Sequence, residues 1–309
     1  MSKQLVVLGL DGLDVQKTRG WEPDLLLDHH AELDLSGFEM LRTSFIWPTM
    51  YAGEHPHERG FEEGGEAEDD HRSSWDNPLI EAASIVGSRI VPRKYRRSIG
   101  ARLRRGGYDA DPLSGHNSPQ RDLFEGDCLF SSLKSKVIEV PAWNKGEADI
   151  KFNNRGAWSS VLESDGGVEF FFDALEEELE WKRSETLDAI EYPNDLVWTH
   201  FHFVDAVQHF FGEDVEREWY GKAADLVADV SDALDDDQYL VVLADHGLGE
   251  SDHREPGLVC VEDDDLLPLP ERPREVRGWL ESFMAEQIEV NEETEANLTA
   301  LGYADFQEE

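Results

Sequence analysis

Residues 195–205 read "DLVWTHFHFVD" and residues 238–247 read "QYLVVLADHG", and between them runs "REWYGKAADLVADVSDALDD", 217–236. Both flanking runs are apolar, rich in β-branched and aromatic residues, and closed by acidic groups, the pattern of buried strands. In the middle segment Trp219, Ala223, Leu226, Val230 and Leu234 recur at helical spacing. The stretch therefore predicts a strand, a helix and a second strand, the unit from which parallel sheets are wound. "QLVVLGL", 4–10, stopped by Asp11 and Gly12, is a third run of this kind, and "KVIEVPAW", 136–143, is a weaker fourth. Repeated alternation of strand and helix implies an α/β fold, a mostly parallel central sheet with helices on both faces. In such sheets ligands collect beyond the carboxyl ends of the strands, where Asp11, Asp205 and Asp245 are expected.

Composition narrows the class. The chain has 309 residues and 39% hydrophobic content, with apolar runs along most of its length, and is read as one catalytic-sized domain over 1–309. A less regular inserted segment is expected at about 60–125 and a helical C-terminal tail at about 271–309. The formal net charge of -40 argues against nucleic-acid binding and points to a high-salt setting, since ionic strength screens such self-repulsion. Cys128 and Cys260 are too few for a disulfide framework, and no stretch approaches the length of a transmembrane helix, so the location expected is cytoplasmic. Against the acidic background, Arg89, Arg93, Lys94, Arg96, Arg97, Arg102, Arg104 and Arg105 form one basic segment. It reads as a surface helix pairing with the acidic loop before it, or as a contact for phosphate or an anionic headgroup.

The closing residues of the strands carry chemistry. Asp205 and His209 in "VDAVQHFF" are four apart, which on a helical turn sets both on one face. Asp245 and His246 end an apolar run, and burying both without a partner would cost several kcal/mol, of order 2–7 for even a neutral polar group. Asp11 ends another run, and His253 follows Asp245 and His246 after a short polar, Gly-containing loop. Imidazole and carboxylate without thiolate suit zinc, and after it manganese. Asp11, Asp205, His209, Asp245, His246 and His253 are too many for one tetrahedral site and suit two neighbouring ions, an arrangement used to transfer phosphoryl groups. Alone, "DAVQH" is a weak signal, and "ADHG" after an apolar run is a stronger one. His200 and His202, alternating with Phe201 and Phe203, read as packing or supporting residues rather than ligands.

These segments resemble the alkaline phosphatase superfamily, and within it the type I phosphodiesterase and nucleotide pyrophosphatase branch. The resemblance is carried by "LGLDGLD" near the start, "TSFIWPTMYAGEHPHERG" at 43–60, "DAVQH" at 205–209 and "ADHGLGESDH" at 244–253, in that order. It implies an alkaline phosphatase-like three-layer sandwich holding two divalent ions. One would be held by Asp11, Thr43, Asp245 and His246, and the other by Asp205, His209 and His253. It also implies Thr43 as the nucleophile, counted ten residues before Gly53; Ser44 and Thr49 are the neighbours that a shift in alignment would select. The substrate implied is a small phosphorylated molecule: a nucleotide, a sugar nucleotide or a phospholipid headgroup. The activity expected is hydrolysis of a phosphodiester or pyrophosphate. A phosphomonoesterase, a sulfatase-like hydrolase and a phosphotransferase are alternatives, the sulfatase disfavoured because no Cys lies near position 43. Ala52 and Arg59 depart from the family's usual Thr and His. They leave open a degenerate protein that binds phosphate or lipid without turnover.

Overall fold

The computed structural model describes residues 3–61, 121–144, 167–248, 253–254 and 256–285. The basic segment 89–105 and nearly all of the expected insertion lie outside the described residues.

The three apolar runs form the middle of one sheet. Strand β1 (Gln4–Leu10) lies between β4 (Leu196–Phe201) and β5 (Gln238–Ala244) and pairs with both in parallel. β3 (Ser135–Ile138) extends the parallel part beside β4. On the other edge β8 (Gly257–Val261) runs antiparallel to β5, and β2 (His29–Leu33) antiparallel to β8. The order is β2-β8-β5-β1-β4-β3, a mixed, mostly parallel sheet. Because side chains alternate across a strand, β1 is apolar on both faces. Val6, Leu8 and Leu10 join Val197, Phe201, Leu240 and Val242 in one core layer, which helices α3 (Gly167–Ile190), α4 (Phe203–Phe210) and α5 (Glu213–Ser231) cover. Leu5 and Val7 join Leu196, Trp198, Val241 and Leu243 in the other, covered by α2 (Thr43–Ala52) and by a helix over 273–285, α6. The expected layers are those observed.

Boundaries differ in two places. The run 195–205 is strand only to Phe201: His202, at φ -121° and ψ 9°, leaves the extended conformation, and Asp205 falls in the first turn of α4. The run 136–143 is strand only to Ile138, because Glu139 and Ala142 take positive φ of 56° and 60° and turn the chain. Of the C-terminal tail, α6 buries Val276, Leu280, Phe283 and Met284 and so belongs to the core, while 286–309 lie outside the described residues. Among the described residues no helix is long and apolar enough to cross a membrane.

Charge has a testable consequence for this fold. Raising KCl from about 0.1 M to about 1 M shortens the Debye length from ~10 Å to ~3 Å. With a net charge of -40, Tm should climb by many degrees over that range. A thermal melt series that stays flat would remove the argument for a high-salt setting.

Candidate metal centre

Thr43 reaches the sheet through packing one turn away from it. Val7, Gly9 and Asp11 face α2, and the Trp47 ring sits on Gly9 so closely that a Cβ there would lie 2.8 Å from it. Asp11 is two residues beyond Gly9, about 6.6 Å along a strand, and Thr43 is four residues before Trp47, about 6 Å along a helix on the same face. The two advances match. The Thr43 hydroxyl donates to Asp11 Oδ1 at 3.3 Å and lies 3.4 Å from His246 Nε2. Thr49, in contrast, is buried and donates its hydroxyl to the Phe45 carbonyl at 2.7 Å, within the helix. Ser44 is rotated from Thr43 by about 100° around the helix axis.

Asp205 and His209 meet as their spacing predicts, with His209 Nε2 3.3 Å from Asp205 Oδ1. They stand against the end of β1 because residue 12 is glycine. At φ 73° it turns the chain, and any Cβ there would come within 2.8 Å of Asp205 Cβ.

Asp245 and His246 leave β5 directly. His253 returns through a small hairpin in which β6 (Gly247–Leu248) pairs with β7 (His253–Arg254), Leu248 opposite His253. His246 and Leu248 project to one side, and so does the residue opposite Leu248. The imidazoles of His246 and His253 consequently stack, centroids 4.0 Å apart.

Carbonyl groups fix how these rings face. His246 Nδ1 lies 3.1 Å from the Gly247 carbonyl, and His253 Nδ1 against the Leu41 carbonyl. A carbonyl only accepts, so each Nδ1 carries a hydrogen and each ring turns Nε2 inward, the nitrogen left to meet a cation. His246 Nε2 is 3.4 Å from Asp11 Oδ1 and 3.3 Å from Asp245 Oδ2. His253 Nε2 is 3.9 Å from Asp205 Oδ1 and 3.3 Å from His209 Nε2. Such orientation of one ring nitrogen by a backbone carbonyl is how metal-ligating histidines are held.

Electrostatically the cluster is strained without a cation. Burial pushes the Asp245 carboxyl well above the usual range, and the Asp11 and Asp205 charges add to it. Among the described residues its buried Oδ2 finds no hydrogen-bond donor, while Oδ1 accepts the Gly12 N–H at 3.3 Å. Burial also lowers His246, offset in part by Asp11 and Asp205. For Asp205, burial and Asp11 push upward, but the His209 hydrogen bond with the His209 and His246 charges leaves it lowered. Three carboxylates and three imidazoles thus converge with an unsatisfied oxygen among them, the donor set a divalent ion would satisfy. Two triads have ligand atoms within 4.8 Å of one another: Asp11, Asp245, His246 and Asp205, His246, His253. His246 belongs to both, whereas the sequence reading gave it to one subsite; His209 joins through Asp205 and His253. The inner triad is buried, and the other end is open, the His209 side chain being 42% exposed.

Two further residues touch the cluster. His200 is fully buried on β4 with Nε2 3.3 Å from Asp11 Oδ2, in keeping with a supporting role. Gln208, which the sequence reading passed over, bonds the Gly12 carbonyl at 2.7 Å; a glutamine inside D-x-x-x-H carries no signal of its own. Ala52 and Arg59 lie away from this end. The Ala52 carbonyl, at the C-terminus of α2, accepts Arg59 Nη2 at 3.3 Å and Arg277 Nη1 at 3.0 Å, and Arg277 so ties α2 to α6.

No curated protein matches the chain. The solved structure of the PH0037 protein from Pyrococcus horikoshii is similar at 12% identity and TM-score 0.49, over 92% of this chain and 97% of that one. The family model for type I phosphodiesterase / nucleotide pyrophosphatase matches residues 110–302, a span that takes in Asp205, His209, Asp245, His246 and His253. With more than half its length matched and these five side chains converging on the ends of β1 and β5, the chain belongs to that family of phosphoester hydrolases.

Proposed function

We propose that the chain hydrolyses a phosphodiester or pyrophosphate bond through Thr43, with two divalent ions, zinc first and manganese after it. The observation that carries this reading is a hydroxyl set 3.3 Å from Asp11 Oδ1 and 3.4 Å from His246 Nε2 at the edge of a buried carboxylate–imidazole cluster. Asp11, Thr43, Asp245 and His246 would hold one ion, and Asp205, His209 and His253 the other, with His246 within reach of both. When bound, the ions supply positive charge that polarises the phosphoryl group, lowers the pKa of a bound hydroxyl and stabilises the departing oxygen.

The side chains do the rest. Asp11 accepts the Thr43 hydrogen bond and fixes the hydroxyl's direction. Thr43 attacks phosphorus in line as the bond to the leaving alcohol or phosphate breaks, the hydroxyl proton passing to the departing oxygen, so that phosphorus is joined to Thr43 while keeping its other ester arm; water then cleaves that threonine ester, restores the hydroxyl and releases a phosphomonoester. The N-terminus of α2, which carries Thr43, would add its partial positive charge beside the phosphoryl group. His246 and His253, held by the Gly247 and Leu41 carbonyls, keep Nε2 directed inward throughout. A small phosphorylated substrate, a nucleotide, sugar nucleotide or phospholipid headgroup, would enter at the exposed His209 end. Because Ala52 and Arg59 serve the far end of α2, they supply no reason for loss of catalysis.

Metal analysis combined with a paired assay tests this. In molar KCl the protein should hold about two zinc ions per chain and cleave a chromogenic phosphodiester faster than the matching monoester. Chelation should remove turnover, and added zinc or manganese should restore it. Metal without turnover of either ester would favour a binding protein; absence of metal would overturn the reading.

A further inference from the structure

The two proposed cation subsites sit on different parts of the chain, Asp11 on the loop after β1 and Asp205 and His209 on α4. The carboxylate-bearing ends of the two lie close together, since a Cβ at Gly12, the residue after Asp11, would come within 2.8 Å of Asp205 Cβ. Something neutral has to set the separation. Gln208 spans it: fully buried, it precedes His209 directly, and its Nε2 donates to the carbonyl of Gly12, the residue directly after Asp11, at 2.7 Å.

The orientation of this amide is itself determined. Lys17 Nζ, on helix α1 (Val15–Trp21), is a donor only, and it lies 2.7 Å from Gln208 Oε1. The amide oxygen therefore faces Lys17 and the amide nitrogen faces Gly12. Lys17 is held in turn by Glu216 Oε2 at 2.8 Å, on α5. The Tyr220 hydroxyl, also on α5, lies 3.5 Å from the same amide oxygen and accepts the Asp14 N–H at 2.8 Å. Loop, α1, α4 and α5 thus meet at one side chain.

We propose that Gln208 is a positioning residue that fixes the distance between the two cation subsites, with Lys17 holding its amide in the working orientation. The proposal rests on the two-ion reading above.

Calorimetric titration of the metal-free full chain with zinc tests it, on wild type, Gln208→Glu, Gln208→Met and Lys17→Met. Gln208→Glu keeps an acceptor for Lys17 and the size of the side chain but presents an oxygen to the Gly12 carbonyl. Gln208→Met removes both bonds without adding charge. Both should weaken zinc binding by about 10- to 100-fold and lower kcat with KM little changed, the range seen when an orienting group beside a ligand is lost. Lys17→Met, which frees the amide to turn, should act in the same direction and less. Leu226→Ala, a core truncation in α5, separates a purely structural effect, since it should lower Tm and leave zinc affinity unaltered. An added carboxylate acting through charge alone would tighten zinc binding, so a rise in Gln208→Glu overturns the tether. Wild-type affinity in both Gln208 variants overturns it as well. A wild-type chain that binds no zinc would instead overturn the two-ion reading on which it stands.

Discussion

Thr43→Ala is expected to lower kcat by at least about 10³-fold, the order of loss that follows removal of a nucleophile, while the protein still takes up two zinc ions. Metal uptake should survive because Asp11, Asp245 and His246 remain at the inner subsite, where each lies within about 3.4 Å of a neighbour. Folding should survive too. Thr43 opens α2, but its cap position is Arg42, which makes no side-chain capping bond, and the helix is seated by Trp47 on Gly9. Ser44→Ala and Thr49→Ala supply the comparison. Thr49 donates within its own helix, so its loss should touch stability and spare kcat, and Ser44 faces about 100° away. Thr43→Ser, which keeps the hydroxyl, should retain a measurable rate. An active Thr43→Ala beside an inactive Ser44→Ala would mean that the nucleophile is one residue along and the α2 geometry has been misjudged.

The parts legible in the sequence were those where one local pattern decides. β1 ends at Leu10, where Asp11 and Gly12 interrupt the apolar run, and β5 at Ala244, where Asp245 and His246 do. α2 was not legible as a helix, because Phe45 through Ala52 are all buried and leave no polar face to give a period, and Pro48 sits inside it. The outer antiparallel strands carry no clear signal, each for its own reason. "HHAEL" has no apolar run, and "GLVCV" has one too short to separate from a core loop. At the site, ligand types and spacings marked the carboxylates and imidazoles, yet their sharing did not follow from spacing. His246 faces both groups only because the hairpin register stacks His253 upon it. Gln208 was invisible for the same reason, since its partner Gly12 is nearly two hundred residues away in the chain and is brought near by the pairing of β1 with β4.

Asp245→Asn should have two effects of opposite sign, and the opposition is the test. The change is nearly isosteric: an asparagine Oδ1 can still accept the Gly12 N–H now 3.3 Å away. What disappears is a charge that burial disfavours first and that Asp11 and Asp205 repel. A carboxyl whose folded value is raised binds its proton more tightly in the native state than in the unfolded chain, where it titrates near 3.9. Its ionisation therefore erodes native stability as pH rises from about 4 through the raised folded value. In metal-free protein at neutral pH, Asp245→Asn should raise Tm by at least about 2 °C, the shift that ~1 kcal/mol produces in a large domain, and should flatten the loss of stability as pH rises through that window. With zinc the order should reverse. The wild type gains stability by mass action in proportion to its affinity, whereas the variant, lacking an inner ligand, should bind more than 100-fold more weakly, beyond what loss of an orienting group costs, and gain little. Melts at a series of pH values, with chelator and with zinc, give both signs at once. A metal-free variant less stable than the metal-free wild type would show that Asp245 is held by its partners rather than against them, and the carboxylate cluster would then need no cation to account for it.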